Sequence, residues 1–276
     1  MTSSKVKFKI ERRNSIGCVN DFVSDAFSLR RSIDNRKLVY RGHSDSEFKL
    51  IPSIGRTQRY AGKEVTLNAK SEINLLHRFR RRAYPHVGRA MTAGEAIFLA
   101  RHHGLPTRLL DWTANALFSL YFACFENSNK DGTVWAMLSP LDNEDLDAFY
   151  VAGLKKESKV FEARSGSDPE HPSAEYALKV IDPFYNSPRL LAQDGAFTIH
   201  YHPWKPIEDY EGKEFIRRHL DIEVLYCWHL PVAHKTRIIA ELSGLGITHR
   251  AVFPDLDGVA RSLWETEVLW CQDRSV

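Results

Sequence analysis

The chain has 276 residues, 43% of them hydrophobic and 26% charged, and a formal net charge of +3. This is globular composition, enough for one large domain or two small ones, and the charge permits a nucleic-acid partner without demanding one. Cys18, Cys124, Cys227 and Cys271 stand far apart with no CxxC pair, which argues against a zinc site of the usual spacing and against a disulfide framework. The opening MTSSKVKFKIERR lacks the apolar stretch of a secretory signal, and no apolar run approaches the roughly 20 residues that span a bilayer. The expectation is a soluble cytoplasmic protein with no membrane partner, no internal repeat and no low-complexity linker.

After a polar start, residues 19–29 place Val19, Phe22, Val23, Ala26, Phe27 and Leu29 at helical spacing. Residues 37–40 read as a short strand ending at Arg41-Gly42. Residues 48–54 read as a second extended piece, broken by Pro52 and closed by Gly55. Residues 63–84 predict a helix with Ile73, Leu76, Phe79 and Ala83 on one face and His77, Arg78, Arg80, Arg81 and Arg82 over the rest. Thr92 and Glu95 form a capping box that opens a helix through Arg101, and Gly104 is placed to end it in a left-handed conformation. A strand over 105–110, a buried helix over 115–125 and a strand over 132–138 follow. Residues 139–172 are acidic and irregular, with Asp142, Glu144, Asp145 and Asp147 near their start, and predict a helical excursion or surface insertion. Residues 193–200 predict a strand entered through Gly195, residues 205–220 a polar helix, and residues 222–230 a strand. Residues 235–245 predict a helix ended by Gly244 or Gly246, and residues 257–263 a short helix. Strands and helices mix without strict alternation, which predicts an α+β fold.

The segment ARHHGLPTRLLDWTANALFSLYFA (100–123) sets Asp111, Trp112, Thr113 and Asn115 between Leu109–Leu110 and a nearly all-apolar run. Polar groups at the edge of a core are hydrogen-bonded or bind something. A helix starting there offers free N–H groups to a phosphate, unless Asp111 consumes them as a cap. Arg108 is open to two readings, a partner of Asp111 or a second phosphate ligand. Trp112 reads either as a stacking wall for a flat ring or as core. Arg41 beside Gly42 and His43 suits a phosphate or carboxylate, because its fork is planar and bidentate and glycine allows close approach; a structural ion pair is the alternative. In SPRLLAQDGAFT (187–198), Arg189, Gln193 and Asp194 precede an apolar strand, and Gln193 reads as an orienter of a bound group or as a turn residue. The run HRFRRRAYPHVGR (77–89), with Arg78, Arg80, Arg81, Arg82 and Arg89, fits nucleic-acid binding or a solvated helix face. His102, His103, His200 and His202 lack metal-ligand spacing, so no metal is expected. GxGxxG, Walker, GxSxG and HExxH motifs are absent.

Three blocks together, LVYRGHSDSEFKLIPSIGR (38–56), residues 100–123 and PRLLAQDGAFT (188–198), resemble the hallmark motifs of the FRG domain, a bacterial and phage domain named for a Phe-Arg-Gly pattern. Tyr40 stands in place of the Phe, and His102 where the family often has Gln. The resemblance extends over about residues 35–260 and implies a single domain for the whole chain, 1–276. It also implies a distant similarity to ADP-ribosyltransferases, with a split mixed or antiparallel sheet core surrounded by helices. By that resemblance NAD is the substrate. Arg41, Asp111 and Gln193 carry the chemistry, and Tyr40, Arg41, Gly42, His43, His103, Thr107, Arg108, Trp112, Thr113, Asn115 and Arg189 bind the dinucleotide. The third block has no clear catalytic Glu, and Glu223, Glu265 and Glu267 are the alternatives. The implied protein is a toxin-like effector of phage defence or a toxin–antitoxin system. It modifies a macromolecule, RNA or DNA ahead of protein, and is restrained by an inhibitory antitoxin protein. The rival expectations are a non-catalytic nucleotide- or nucleic-acid-binding module and a metal-dependent nuclease.

Overall fold

A computed structural model describes residues 9–33, 37–138, 178–181, 188–200, 203–209 and 224–273. In chain order its elements are β1 (Lys9–Arg12), α1 (Val19–Ser32), β2 (Leu38–His43), β3 (Gln58–Tyr60), β4 (Lys63–Val65), α2 (Ala69–Val87), α3 (Ala93–His102), β5 (Leu109–Thr113), α4 (Ala116–Phe125) and β6 (Gly132–Leu138). They continue with β7 (Leu178–Ile181), α5 (Pro188–Ala192), β8 (Gly195–His200), β9 (Val224–Leu230), α6 (Val232–Gly244), α7 (His249–Val252) and α8 (Leu256–Asp273). The class is α+β, around a seven-stranded mixed sheet of order β1-β9-β6-β2-β5-β8-β7. Only β1 and β9 run parallel; every other neighbouring pair is antiparallel.

Side-chain alternation sorts the apolar residues of this sheet onto two faces. Leu38 and Tyr40 of β2, with Val134, Ala136, Tyr226 and Trp228, pack against Phe22 of α1, Tyr121 of α4 and Leu242 of α6. Phe22 meets the Trp228 ring edge-on, with centroids 5.5 Å apart. Val39, Met137, Leu110 and Trp112 form a second cluster, covered by Leu50 and Ile207 from the connecting segments. In a third, Ile97 and Phe98 of α3 close over Leu109, Phe197 and Ile199 of β5 and β8.

The sheet is not evenly zipped. β2 pairs with β6 from Leu38↔Leu138 to His43↔Thr133, but it pairs with β5 at one position alone, Tyr40↔Thr113. Beyond that point the two strands diverge, and the middle of the sheet opens.

Several expected boundaries move, each for a local reason. The strand expected over 105–110 begins at Leu109, since Pro106 has no N–H to give a ladder, and it runs on through Asp111, Trp112 and Thr113. Those residues are therefore strand rather than helix junction. The helix expected from 63 begins at Ala69, because residues 58–65 form a hairpin around Ala61 and Gly62, both at positive φ (49° and 76°). Residues 48–54 join no ladder, and a single 3-10 turn stands at Ser53–Gly55. The helix expected over 257–263 spans Leu256–Asp273. β1 and β7 were unforeseen, and β1 is a largely exposed edge strand that gives no alternation signal. The capping box at Thr92, the left-handed Gly104 (φ 80°) and the buried helix from 116 to 125 match the sequence reading. The acidic run over 139–172 and most of 205–220 lie outside the described residues.

Gly42 is needed for packing rather than for ligand approach. A Cβ there would overlap the Ser119 carbonyl oxygen and stand 2.6 Å from the Ala123 backbone nitrogen, both on α4. The helix backbone fills the space that the sequence reading left for a ligand. Gly42→Ala must push α4 off β2, and overpacking of this kind costs about 1–3 kcal/mol or more. A thermal melt of Gly42→Ala should show a clear loss of stability; an unchanged midpoint would contradict this close approach.

Candidate functional site

Where β2 and β5 part, a cleft of about 400 Å³ opens. Tyr40, Arg41, Gly42 and His43 border it from β2, Asp111 and Thr113 from β5, and Arg189 and Gln193 from the segment around α5. The sequence reading had named all of these. Arg56, Arg101, Phe122, Phe125, Glu126 and Phe253 also line it, and sequence reasoning missed them.

Asp111 is the centre of the polar half. Arg101, in the last turn of α3, grips its carboxylate: Nε donates to both oxygens at 3.1 Å and Nη2 donates to Oδ2. Arg101 Nη1 also donates to Ser53 Oγ at 3.2 Å. Arg41 Nη1 donates to the Asp111 backbone carbonyl at 2.6 Å and stands 3.8 Å from its carboxylate. Arg41 Nε donates to His43 Nε2 at 3.0 Å, so the imidazole accepts there and is neutral. Burial, with Arg41 and Arg56 beside it, holds His43 well below the ordinary histidine range. The Asp111 carboxylate faces the cleft and is 39% exposed, yet lies within a concave wall of protein. Burial pushes its carboxyl up, but Arg101 and then Arg41 outweigh this and hold it at about 2.

The arginines outnumber their counter-charges. Arg41, Arg56, Arg101 and Arg189 line the cleft against Asp111 and, at the rim, Glu126. Burial lowers Arg41 to about 9, and lowers Arg56 and Arg189 as well, while Asp111 raises Arg101. Arg56 Nε donates to the Ile51 carbonyl at 3.0 Å, and the Arg189 guanidinium lies over the Phe253 ring at 4.3 Å. Concentrated, partly desolvated guanidinium groups favour an anion with several oxygens.

The other half is aromatic. Phe122 and Phe125 project from α4, with ring centroids 6.0 Å and 6.4 Å from that of Phe253. Glu126 follows Phe122 and Phe125 at i+4 and i+1 and ends the helix. This spacing on one helix was the available sequence signal, hidden because the run reads as apolar all round. Phe253 comes from beyond α7 and has no local signal.

The segment bearing Gln193 is fastened to the end of β5. Thr113 Oγ1 donates to the Gln193 carbonyl at 2.6 Å, and the Ala114 N–H donates to the Asp194 carbonyl at 2.9 Å. Asp194 takes a positive φ of 43° to allow this. Gln193 Nε2 donates to the Val252 carbonyl at 3.0 Å, which fixes its amide and leaves its Oε1 as an acceptor.

Several expected ligand residues are elsewhere. Arg108 pairs with neither Asp111 nor the cleft: it meets Glu72 of α2 at 2.6 Å in a pair whose side chains are 8% and 0% exposed. Thr107 is buried and exchanges hydrogen bonds with Ser53. Asn115 caps α4, its Oδ1 accepting from Leu117 N and Phe118 N. His103 follows α3 as its exposed C-cap, and His102 lines the cleft in its place. Trp112 borders the cleft, but its indole N–H donates to Thr198 Oγ1 at 3.0 Å within the second apolar cluster, so its ring is core. On α2, Arg78, Arg81 and Arg82 are exposed and Arg80 donates to the Met91 carbonyl; Arg89, beyond the helix and also exposed, pairs with Glu95. Glu265 pairs with Arg261, and neither it nor Glu267 lines the cleft. Glu223 lies outside the described residues. Among the described residues no three metal-ligating side chains gather, and no helix is long and apolar enough to cross a membrane.

No curated protein and no solved structure matches the chain. The FRG domain family matches residues 36–132, a stretch that takes in the first two sequence blocks and ends before the third. Arg41, Arg56, Arg101, Asp111, Phe122, Phe125 and Glu126 fall inside it; Arg189, Gln193 and Phe253 fall outside. The stretch that matches the FRG domain family supplies the greater part of the cleft.

Proposed function

We propose that the cleft binds NAD and that the protein moves ADP-ribose from it to a macromolecular acceptor, with the split sheet serving as an ADP-ribosyltransferase-like scaffold. The observation that carries this reading is the set of four arginines against one central carboxylate, next to an aromatic wall. A pyrophosphate satisfies the first, and a flat ring the second. In the reaction the bond between the ribose C1′ and the nicotinamide nitrogen breaks and nicotinamide leaves with the electron pair. An acceptor nucleophile then bonds to C1′ and loses its proton. Positive charge builds on the ribose as the bond breaks, and fixed negative charge and dipoles stabilise it. Asp111 supplies the charge, and the Gln193 Oε1 is an acceptor for a ribose hydroxyl. Phe122 takes the stacking role first given to Trp112, backed by Phe125 and Phe253, whose own faces are covered by Tyr121, His249 and Arg189. The exposed Arg78, Arg81 and Arg82 favour a nucleic-acid acceptor over protein. An effector of this kind is toxin-like and works with an inhibitory protein partner.

A second reading, a binding module without catalysis, draws on the tight hold of Arg101 and Arg41 on Asp111. One experiment separates the two. Purified protein is incubated with radiolabelled NAD and separate pools of RNA, single-stranded DNA and protein. Transfer to the nucleic-acid pools is expected. Intact NAD with no labelled pool, but a melting temperature raised by NAD, would move the assignment to the binding module.

A further inference from the structure

Between the cleft and α2 the chain makes a hairpin that packing does not explain. β3 and β4 pair with each other, outside the main sheet, and none of their residues joins an apolar cluster. An isolated two-stranded hairpin is marginal in water, so this one depends on its root. There Gln58 Nε2 donates to the Ser53 carbonyl at 3.0 Å, and Ser53 Oγ accepts from the cleft residue Arg101. Beyond β4, the Trp204 indole N–H donates to the Leu67 carbonyl at 2.8 Å. The register Gln58↔Val65 and Tyr60↔Lys63 sets these four side chains on one face, and the exposed ion pair of Arg59 and Glu64 on the other. On the first face Tyr60 is 80% exposed, with Val65 and Lys63 exposed beside it. Among the described residues nothing stacks on the Tyr60 ring and no carboxylate pairs with Lys63.

A bare aromatic ring beside a cation suits a nucleic-acid base and its phosphate, since every base has a face to stack. The surroundings favour a polyanion. Between Arg56 and Ala90 the carboxylates are Glu64, paired with Arg59, and Glu72, buried against Arg108. On α2, Lys70, Arg78, Arg81 and Arg82 lie on the exposed side and span about 18 Å along the axis. The hairpin also springs from the cleft: Arg56 borders it, and four residues of extended chain, about 13 Å, carry Tyr60 out from there. We propose that the β3–β4 hairpin reads single-stranded nucleic acid, a base stacking on Tyr60 while the phosphates follow Lys63 and the α2 cations, and so brings the acceptor strand to the Arg56 side of the cleft. A duplex keeps its bases stacked on one another and offers Tyr60 no such face. Delivery to the cleft rests on the reading of a nucleic acid as the acceptor; binding at the hairpin needs no NAD.

The test is fluorescence anisotropy, without NAD, of short labelled single strands of RNA and DNA and of the matching duplexes. The full chain is compared with Tyr60→Phe, with Tyr60→Thr and with Arg78→Gln combined with Arg81→Gln. Tyr60 is exposed, so neither change there disturbs the core. The wild-type chain is expected to bind single strands at least about fivefold more tightly than duplex. Tyr60→Thr, which keeps the strand preference of the position, is expected to lose about tenfold for single strands, and Tyr60→Phe to keep the wild-type affinity. The double arginine variant is expected to weaken single strands and duplexes alike and to make binding less dependent on salt. Undiminished single-strand binding by Tyr60→Thr, or equal binding of duplex by the wild type, overturns the hairpin as reader and leaves the acceptor reading standing. Tighter binding to phosphatidylserine vesicles than to any strand overturns it in favour of a membrane surface. Failure of the wild-type chain to bind any nucleic acid overturns both this proposal and nucleic acid as the acceptor, while transfer from NAD to protein remains measurable with the radiolabel.

Discussion

Arg41→Ala is expected to weaken NAD binding by at least about 30-fold and to remove transfer of ADP-ribose. Truncating one side of a buried, charge-assisted contact costs about 2–5 kcal/mol, and Arg41 is the cleft arginine that springs from the centre of the sheet. The fold should survive. Burial already works against the Arg41 charge, lowering it to about 9, so alanine relieves a desolvation cost while giving up the bonds to His43 and the Asp111 carbonyl. Arg41→Lys should fall between the two. It keeps the charge, but one ammonium group cannot hold His43 and the carbonyl in the fixed fork of a guanidinium. Calorimetry and melting curves on the three proteins check this. A folded Arg41→Ala that binds NAD as tightly as the wild type removes Arg41 from the site.

Glu72→Ala should have the largest effect on stability. Glu72 is fully buried and accepts from the Arg108 backbone N–H at 2.8 Å, from Nε at 2.9 Å and from Nη2 at 2.6 Å. Removing it takes the carboxylate from a buried guanidinium, at a cost of about 3–5 kcal/mol. For a chain of this size that is a fall of about 10 °C in melting temperature. Glu72→Leu combined with Arg108→Leu should recover much of the loss, because the pair's burial cost disappears with the pair. NAD affinity in that double variant distinguishes the two roles once given to Arg108. Unchanged affinity fits the structural pair, while a large loss would return Arg108 to the phosphate site.

The sequence made the chemistry of the site more legible than its partnerships. Asp111 stood out as a polar side chain at the edge of an apolar run, Arg41 by its place beside Gly42 at a strand end and Gln193 by its place ahead of an apolar strand, and all three lie at the cleft. Their partners were hidden. Arg108 lies three residues before Asp111, and along extended chain an odd offset sends the two side chains to opposite faces. Arg101 lies ten residues away but reaches Asp111 across the α3–β5 turn, a contact that only the packing of α3 on the sheet creates. Capping was legible at Thr92, since it depends on neighbours in the chain, but at α4 the cap expected of Asp111 is supplied by Asn115. The purpose of Gly42 was not, because the atoms it makes room for are more than seventy residues away.

Two ladders share the single strand pair Tyr40↔Thr113, which makes that pair the place where the sheet would hinge. Each leaf is held by continuous hydrogen bonding within itself: β1, β9, β6 and β2 on one side, β5, β8 and β7 on the other. Widening the gap would break neither ladder, only the Arg41 bond to the Asp111 carbonyl and part of the second apolar cluster. A multiply charged ligand gripped by Arg41 from one leaf and by Arg189 from the segment feeding the other would lock the hinge. Amide protons at the Tyr40 and Thr113 seam are then the place where hydrogen exchange slows most on ligand binding, while the interior of each leaf, already protected, changes little.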